Sequence, residues 1–142
     1  DDFARPKVVW PRLMRISKNG TDAFPRFCQA SENSLVADSL CFFTGNCQEE
    51  LCRILNSTYA AYYFLKSVAV LDNGGLQMRQ QYIGKIPIPL CLKGKKDVDD
   101  DDVFDAFSFT ESERCFIISY VKDRLDEIIT SSQLYISTTA NN

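Results

Sequence analysis

Short apolar runs separated by turn residues fill the first third of the chain, and two longer amphipathic stripes follow. Lys7-Val8-Val9-Trp10 predicts a strand that ends at Pro11, because proline cannot donate to a ladder. Leu13–Ser17 alternates apolar and polar, then meets the turn signal Asn19-Gly20. Phe24–Ala30 predicts an edge strand, since Pro25 lacks an N–H, and Ser39–Thr44 predicts a further strand. From Asn46 the period lengthens to that of a helix. Asn46 and Glu49 have capping-box spacing, and Leu51, Leu55, Tyr59, Tyr62 and Leu65 form a stripe, widened by Ile54 and Thr58. A helix over about 46–66 is expected, with Lys66 at its C-terminal end, where a cation suits the helix dipole. Asp72–Gly75 reads as a loop. The two prolines of Ile86-Pro87-Ile88-Pro89 force a stiff extended path. Residues 91–109 read as a polar linker. Thr110 and Glu113 then open a second helix, over about 110–130, with a fraying tail from Ser131. The expected class is α+β: a small, mostly antiparallel twisted sheet packed by a central helix, with a C-terminal helix, in one domain.

The 142 residues suit a single core without staples. No apolar run approaches the ~20 residues of a membrane helix. The chain opens on Asp1-Asp2, with neither a basic-then-apolar leader nor an initiator Met, and is read as a piece of a larger protein. Six cysteines invite a disulfide framework, but no C-x-x-C pair occurs and several lie in apolar runs. Buried free thiols, and with them a cytoplasmic setting, are expected. Net charge is −3, unevenly placed. Residues 1–96 hold 13 Lys/Arg and 8 Asp/Glu (+5), and residues 97–142 hold 3 and 11 (−8). The basic part suits phosphates, and the acidic part suits solvent or another protein domain.

Histidine is absent, which removes the commonest general base and zinc ligand. No Gly-rich phosphate loop, G-x-S-x-G elbow, H-E-x-x-H or base-holding N-P-P-Y tetrad occurs. Asp99–Asp102 lacks the spacing around glycine of a calcium loop and reads as a solvated run. No metal site or cofactor site is expected. Basic and aromatic residues interleave at Trp10, Arg12, Arg15, Lys18, Phe24, Arg26 and Phe27. Such a pattern serves a nucleic-acid binder, but taken alone it is better read as a sheet with an aromatic core face and a solvated basic one.

Five segments, in order, resemble one family. They are Lys7-Val8-Val9-Trp10-Pro11-Arg12, Asp38–Gly45, Leu51-Cys52-Arg53-Ile54-Leu55-Asn56-Ser57, Tyr62-Tyr63-Phe64 and Tyr82-Ile83-Gly84-Lys85-Ile86-Pro87-Ile88-Pro89. Together they are similar to the TaqI-like C-terminal specificity domain of N6-adenine DNA methyltransferases and type IIG restriction-modification enzymes. Type I specificity subunits share part of the pattern. The resemblance covers residues 7–90. It implies a domain that recognises double-stranded DNA and does no chemistry itself. It also implies a parent chain with an S-adenosylmethionine-dependent methyltransferase domain, and in some cases a nuclease.

On that reading base contacts come from the segment Asn73–Tyr82. Gly74-Gly75 permits close approach, and Gln77, Arg79, Gln80 and Gln81 are the side chains that pair with base edges. Arg12, Arg15, Lys18 and Arg26 are assigned to the backbone, Lys18 to phosphate. A solvated polar strand is the plainer account of the same segment. The competing functions are a protein-interaction or scaffold domain contacting partners through its acidic part, and a free-standing enzyme.

Overall fold

The computed structural model describes residues 5–16, 23–31, 39–45 and 48–140. Strand β1 (Lys7–Pro11) lies between β3 (Cys28–Ala30) and β4 (Leu40–Thr44), both antiparallel to it. A second, two-stranded antiparallel sheet pairs β2 (Leu13–Arg15) with β5 (Gly75–Gln77). The fold is α+β, and its small sheet is divided in two. β3 is an edge strand, as Pro25 suggests, and the Phe24–Pro25 peptide is cis.

Alternation along β1 puts Val8 and Trp10 on one face, where they are buried. Trp10 sits 4.7 Å from Phe43 and 5.3 Å from Phe27, and Phe27 is 5.8 Å from Phe64. This aromatic chain joins the three-stranded sheet to the helices that cover it. The indole N–H of Trp10 donates to the Met78 carbonyl at 2.7 Å, and the Met78 N–H donates to the Arg12 carbonyl at 2.8 Å. The two sheets meet at this peptide.

The helix expected over 46–66 is two: α1 (Gln48–Leu55) and α2 (Thr58–Ser67). The break has a local cause. Ser57 is extended (ψ 163°) and its hydroxyl caps α2 by accepting from the Ala60 N–H, while its own O–H donates to the Ile54 carbonyl. Asn56 reaches further, accepting from the Phe27 N–H at 2.8 Å and donating to the Phe27 carbonyl at 2.9 Å. Its amide thus stands in for a strand neighbour at the end of β3. Asn46, the expected cap, lies outside the described residues.

The stretch 91–109 is not a plain linker. It holds a 3-10 turn (Leu90–Leu92) and α4 (Asp100–Ala106), so the acidic run is built into structure. Asp99 accepts from the Asp102 N–H, and Asp102 accepts in turn from the Asp99 N–H, a capping box. Those bonds and the Lys95 ammonium, 3.0 Å away, hold the Asp102 carboxyl below its ordinary pKa. Asp100 accepts from both the N–H and the hydroxyl of Thr58, which caps α2 from outside. The sequence of the acids shows no apolar period and so reads as solvated charge, but Asp99, Asp100 and Asp102 are bonded at helix N-termini.

Thr110 and Glu113 form the expected box, with bonds of 2.8 and 3.2 Å. Helix α5 then runs from Glu111 to Ala140, beyond the expected end near 130. Ser132, two residues past the expected end, is buried against the loop at Gly74, and its hydroxyl returns to the Ile129 carbonyl, so packing continues the helix where apolar periodicity stops. The expectation of buried cysteines holds for Cys52 alone among those described. Cys28, Cys91 and Cys115 are exposed, and Cys41 is half-buried. No helix among the described residues is long and apolar enough to cross a membrane.

The Trp10 bond is testable. Trp10→Phe removes the N–H and leaves the Met78 carbonyl buried without it, which is expected to cost about 1–3 kcal/mol. Urea unfolding followed by circular dichroism measures the loss. A variant as stable as the wild type would show that the bond contributes nothing.

Candidate nucleic-acid interface

The segment beyond Met78 begins where the two sheets are tied. Arg79 is extended (φ −70°, ψ 141°) at the N-terminal side of α3 (Gln80–Ile83), a single turn. Ile83 is buried beneath this turn, while Arg79, Gln80 and Gln81 are exposed. The expected loop Asn73–Tyr82 is therefore mostly ordered: strand, bend, then helical turn. Ladder bonds to β2 and to residues 69–71 organise it.

The proposed contact residues divide by what they do within the molecule. Gln77 is half-buried in β5, opposite Leu13. The Gln80 amide donates to the Phe42 carbonyl at 3.3 Å, which ties α3 to β4. Arg26 donates through both guanidinium nitrogens, to Ala23 at 2.9 Å and to Arg15 at 2.7 Å, and so pins residues 23–26 to β2. Arg12, Arg15, Arg79 and Gln81 are exposed. The main chain links Arg12 to this group, since its carbonyl accepts from Met78 and its N–H donates to Ser39. Lys18 lies outside the described residues.

Gly74-Gly75 has a different role from the one its sequence suggests. Gly74 is left-handed (φ +85°), and a Cβ there would lie 2.9 Å from Ser132 of α5. A Cβ on Gly75 would lie 2.8 Å from the Leu13 side chain. The close approach these glycines allow is to the chain's own helix and strand.

Charge distribution identifies residues the motif argument missed. Between Asp72 and Asp97 there is no acidic residue, while Arg79, Lys85, Lys93, Lys95 and Lys96 all fall there. Residues 1–72 hold 8 basic and 8 acidic residues, so the whole +5 of residues 1–96 resides in residues 73–96. All five cations are exposed. Lys95 is paired with Asp102, and no ion pair engages Arg79, Lys85, Lys93 or Lys96 among the described residues. Several cations elsewhere are engaged: Arg53 with Glu49 and Asp97, Arg114 with Asp105, Arg124 with Glu127, and Lys66 with the rings of Tyr62 and Tyr120 at 5.1 and 5.2 Å.

This ribbon is held firmly. The Tyr59 hydroxyl donates to the Pro87 carbonyl at 2.9 Å, and burial pushes that phenol up to about 12. Ile86 and Leu92 are buried on either side of Pro87–Pro89, and the Gly94 N–H donates to the Glu50 carboxylate at 2.7 Å.

A cleft of about 480 Å³ opens between α1, β3 and α4. Three of its polar side chains are engaged within the fold: Asn56 is bonded to Phe27, Asp100 to Thr58, and the Cys52 thiol to the Phe27 carbonyl at 3.3 Å. Burial raises the Cys52 pKa further, which disfavours the thiolate a nucleophile needs. A second surface runs along α5, where Phe116 is 58% exposed beside Tyr62 and Tyr120, with Glu113, Asp123 and Glu127 nearby.

Comparison with protein-family models, curated proteins and solved structures gives no match to this chain.

Arg26 and Arg79 are expected to separate in stability. Arg26→Ala loses two bonds to backbone carbonyls and is expected to cost about 1 kcal/mol. Arg79→Ala is expected to change stability by less than about 0.5 kcal/mol. Urea midpoints for the two variants decide this, and equal shifts would remove the distinction between staple and contact residue.

Proposed function

We propose that this chain is a DNA-recognition module that binds the duplex through the acid-free ribbon 73–96, with Arg12 and Arg15 beside it. The observation that carries this reading is the placement of charge. Four exposed cations without an ion-pair partner among the described residues lie along an ordered, anchored segment containing no carboxylate. Phosphate binding by such cations supplies affinity, and polar side chains on a fixed turn supply sequence discrimination. Arg79 and Gln81 suit base edges, Arg toward guanine and Gln toward adenine. Gln80 positions the turn and Gln77 supports it from β5. Arg26 moves from direct contact to structural support.

The family resemblance adds the setting. The chain is read as the target-recognition part of a cytoplasmic adenine-N6 modification-restriction enzyme, non-catalytic by itself. The methyltransferase domain of the same parent chain would bind S-adenosylmethionine. The acidic half, with Phe116 exposed on α5, suits contact with that domain better than contact with phosphates. The same exposed aromatic favours the scaffold reading as the alternative.

Salt dependence separates the two. Contact of Lys85, Lys93 and Lys96 with phosphate implies a contribution of about −3 to the slope of log K against log salt. Fluorescence anisotropy with a labelled 20-base-pair duplex measures it. Replacing the three lysines by Gln is expected to make the slope shallower by about 3. A shallow wild-type slope, or one unchanged by the substitutions, would favour the scaffold reading.

A further inference from the structure

We infer that Leu90 is a wedge that enters the base stack and bends the duplex; the inference rests on the DNA-binding reading above. Leu90 is 83% exposed, more than Leu71, Phe116, Ile118, Leu134 and Tyr135, the other exposed large apolar residues among those described. Its setting distinguishes it from a scattered surface leucine. It lies within the acid-free ribbon, at the start of the 3-10 turn that follows Pro87-Ile88-Pro89. The Lys93 N–H donates to the Leu90 carbonyl at 3.1 Å, which places a cation one turn away, and Lys95 and Lys96 follow. The turn is fastened before Leu90 by Tyr59 at Pro87 and by buried Ile86. It is fastened after Leu90 by buried Leu92 and by the Gly94–Glu50 bond.

Opening a base step costs a few kcal/mol, and an apolar side chain that replaces the lost stacking recovers part of it. A side chain on a mobile loop would also lose conformational freedom on insertion. Leu90 is held out by prolines and two anchored flanks, so that loss is largely met in folding. Cations on both sides of the tip can follow the phosphates as they close toward the bend. Sites with flexible pyrimidine–purine steps are therefore favoured, which gives a sequence preference without a hydrogen bond to any base. Leu90 is a positioning and deforming residue in this scheme, while Arg79 and Gln81 contact base edges.

The test uses the full chain and a 30-base-pair duplex rich in T-A steps, with donor and acceptor dyes at its ends. Anisotropy reports binding, and energy transfer at saturating protein reports bending. Wild-type protein is expected to bind and to raise energy transfer. Leu90→Ala is expected to bind roughly tenfold more weakly and, once saturated, to leave energy transfer at the free-duplex value. Leu90→Met, which keeps an apolar tip, is expected to restore both. Leu90 is so exposed that Leu90→Ala is not expected to move the urea midpoint. Binding without a rise in energy transfer, or an equal rise with Leu90→Ala, overturns the wedge and leaves the DNA-binding reading standing. No binding of the duplex by wild-type protein overturns both.

Discussion

The main chain at Met78 is held through both its polar groups, the N–H by the Arg12 carbonyl and the carbonyl by the Trp10 indole. A buried carbonyl without such a donor costs about 1–3 kcal/mol, so the chain has little freedom to cross here in another way. The hold joins the two sheets, since Trp10 belongs to one and Met78 directly follows a strand of the other. It also fixes where the ribbon begins, because Arg79 is the next residue. The rest of the ribbon is secured in the same manner, by Tyr59 at Pro87 and by Glu50 at Gly94. The exposed cations of residues 79–96 are therefore displayed by a segment whose main chain is fastened at three places.

The acidic half complements this arrangement locally. Asp99, Asp100 and Asp102 end on helix N-termini, where negative charge is stabilising. Lys95 is drawn to Asp102, so ribbon and acidic run meet at one ion pair and separate on either side of it. Helix α5 packs near the ribbon's beginning only because Gly74 has no side chain to meet Ser132.

Periodicity made most of the elements legible. The strands at Lys7–Pro11 and Leu40–Thr44, the edge character of Cys28–Ala30 and the Thr110–Glu113 cap all follow from short-range pattern. The break at Asn56-Ser57 was hidden, because the apolar stripe continues through it. At the break Ser57 caps α2 locally, and Asn56 accepts from the Phe27 N–H 29 residues away, a partner that short-range pattern does not show. Helix α4 was hidden because three consecutive aspartates show no amphipathic period, although Asp at an N-cap is itself a helix signal. Among the candidate contact residues, type alone could not separate Arg26 from Arg79, since only packing reveals which guanidinium is engaged. Lys85, Lys93 and Lys96 were available in the sequence all along. The gap between Asp72 and Asp97 contains no carboxylate, but charge summed over residues 1–96 conceals how narrowly the excess is confined.

The central claim is that residues 73–96 form the DNA face and the acidic helix does not. Mapping backbone amide shifts by nuclear magnetic resonance, during titration with an unlabelled duplex, tests it most directly. The account expects the largest changes at Arg79, Gln81, Lys85 and Leu90–Lys96, with none along the outer face of α5 at Asp123–Glu127. Changes concentrated on α5, or spread evenly over the molecule, would contradict it.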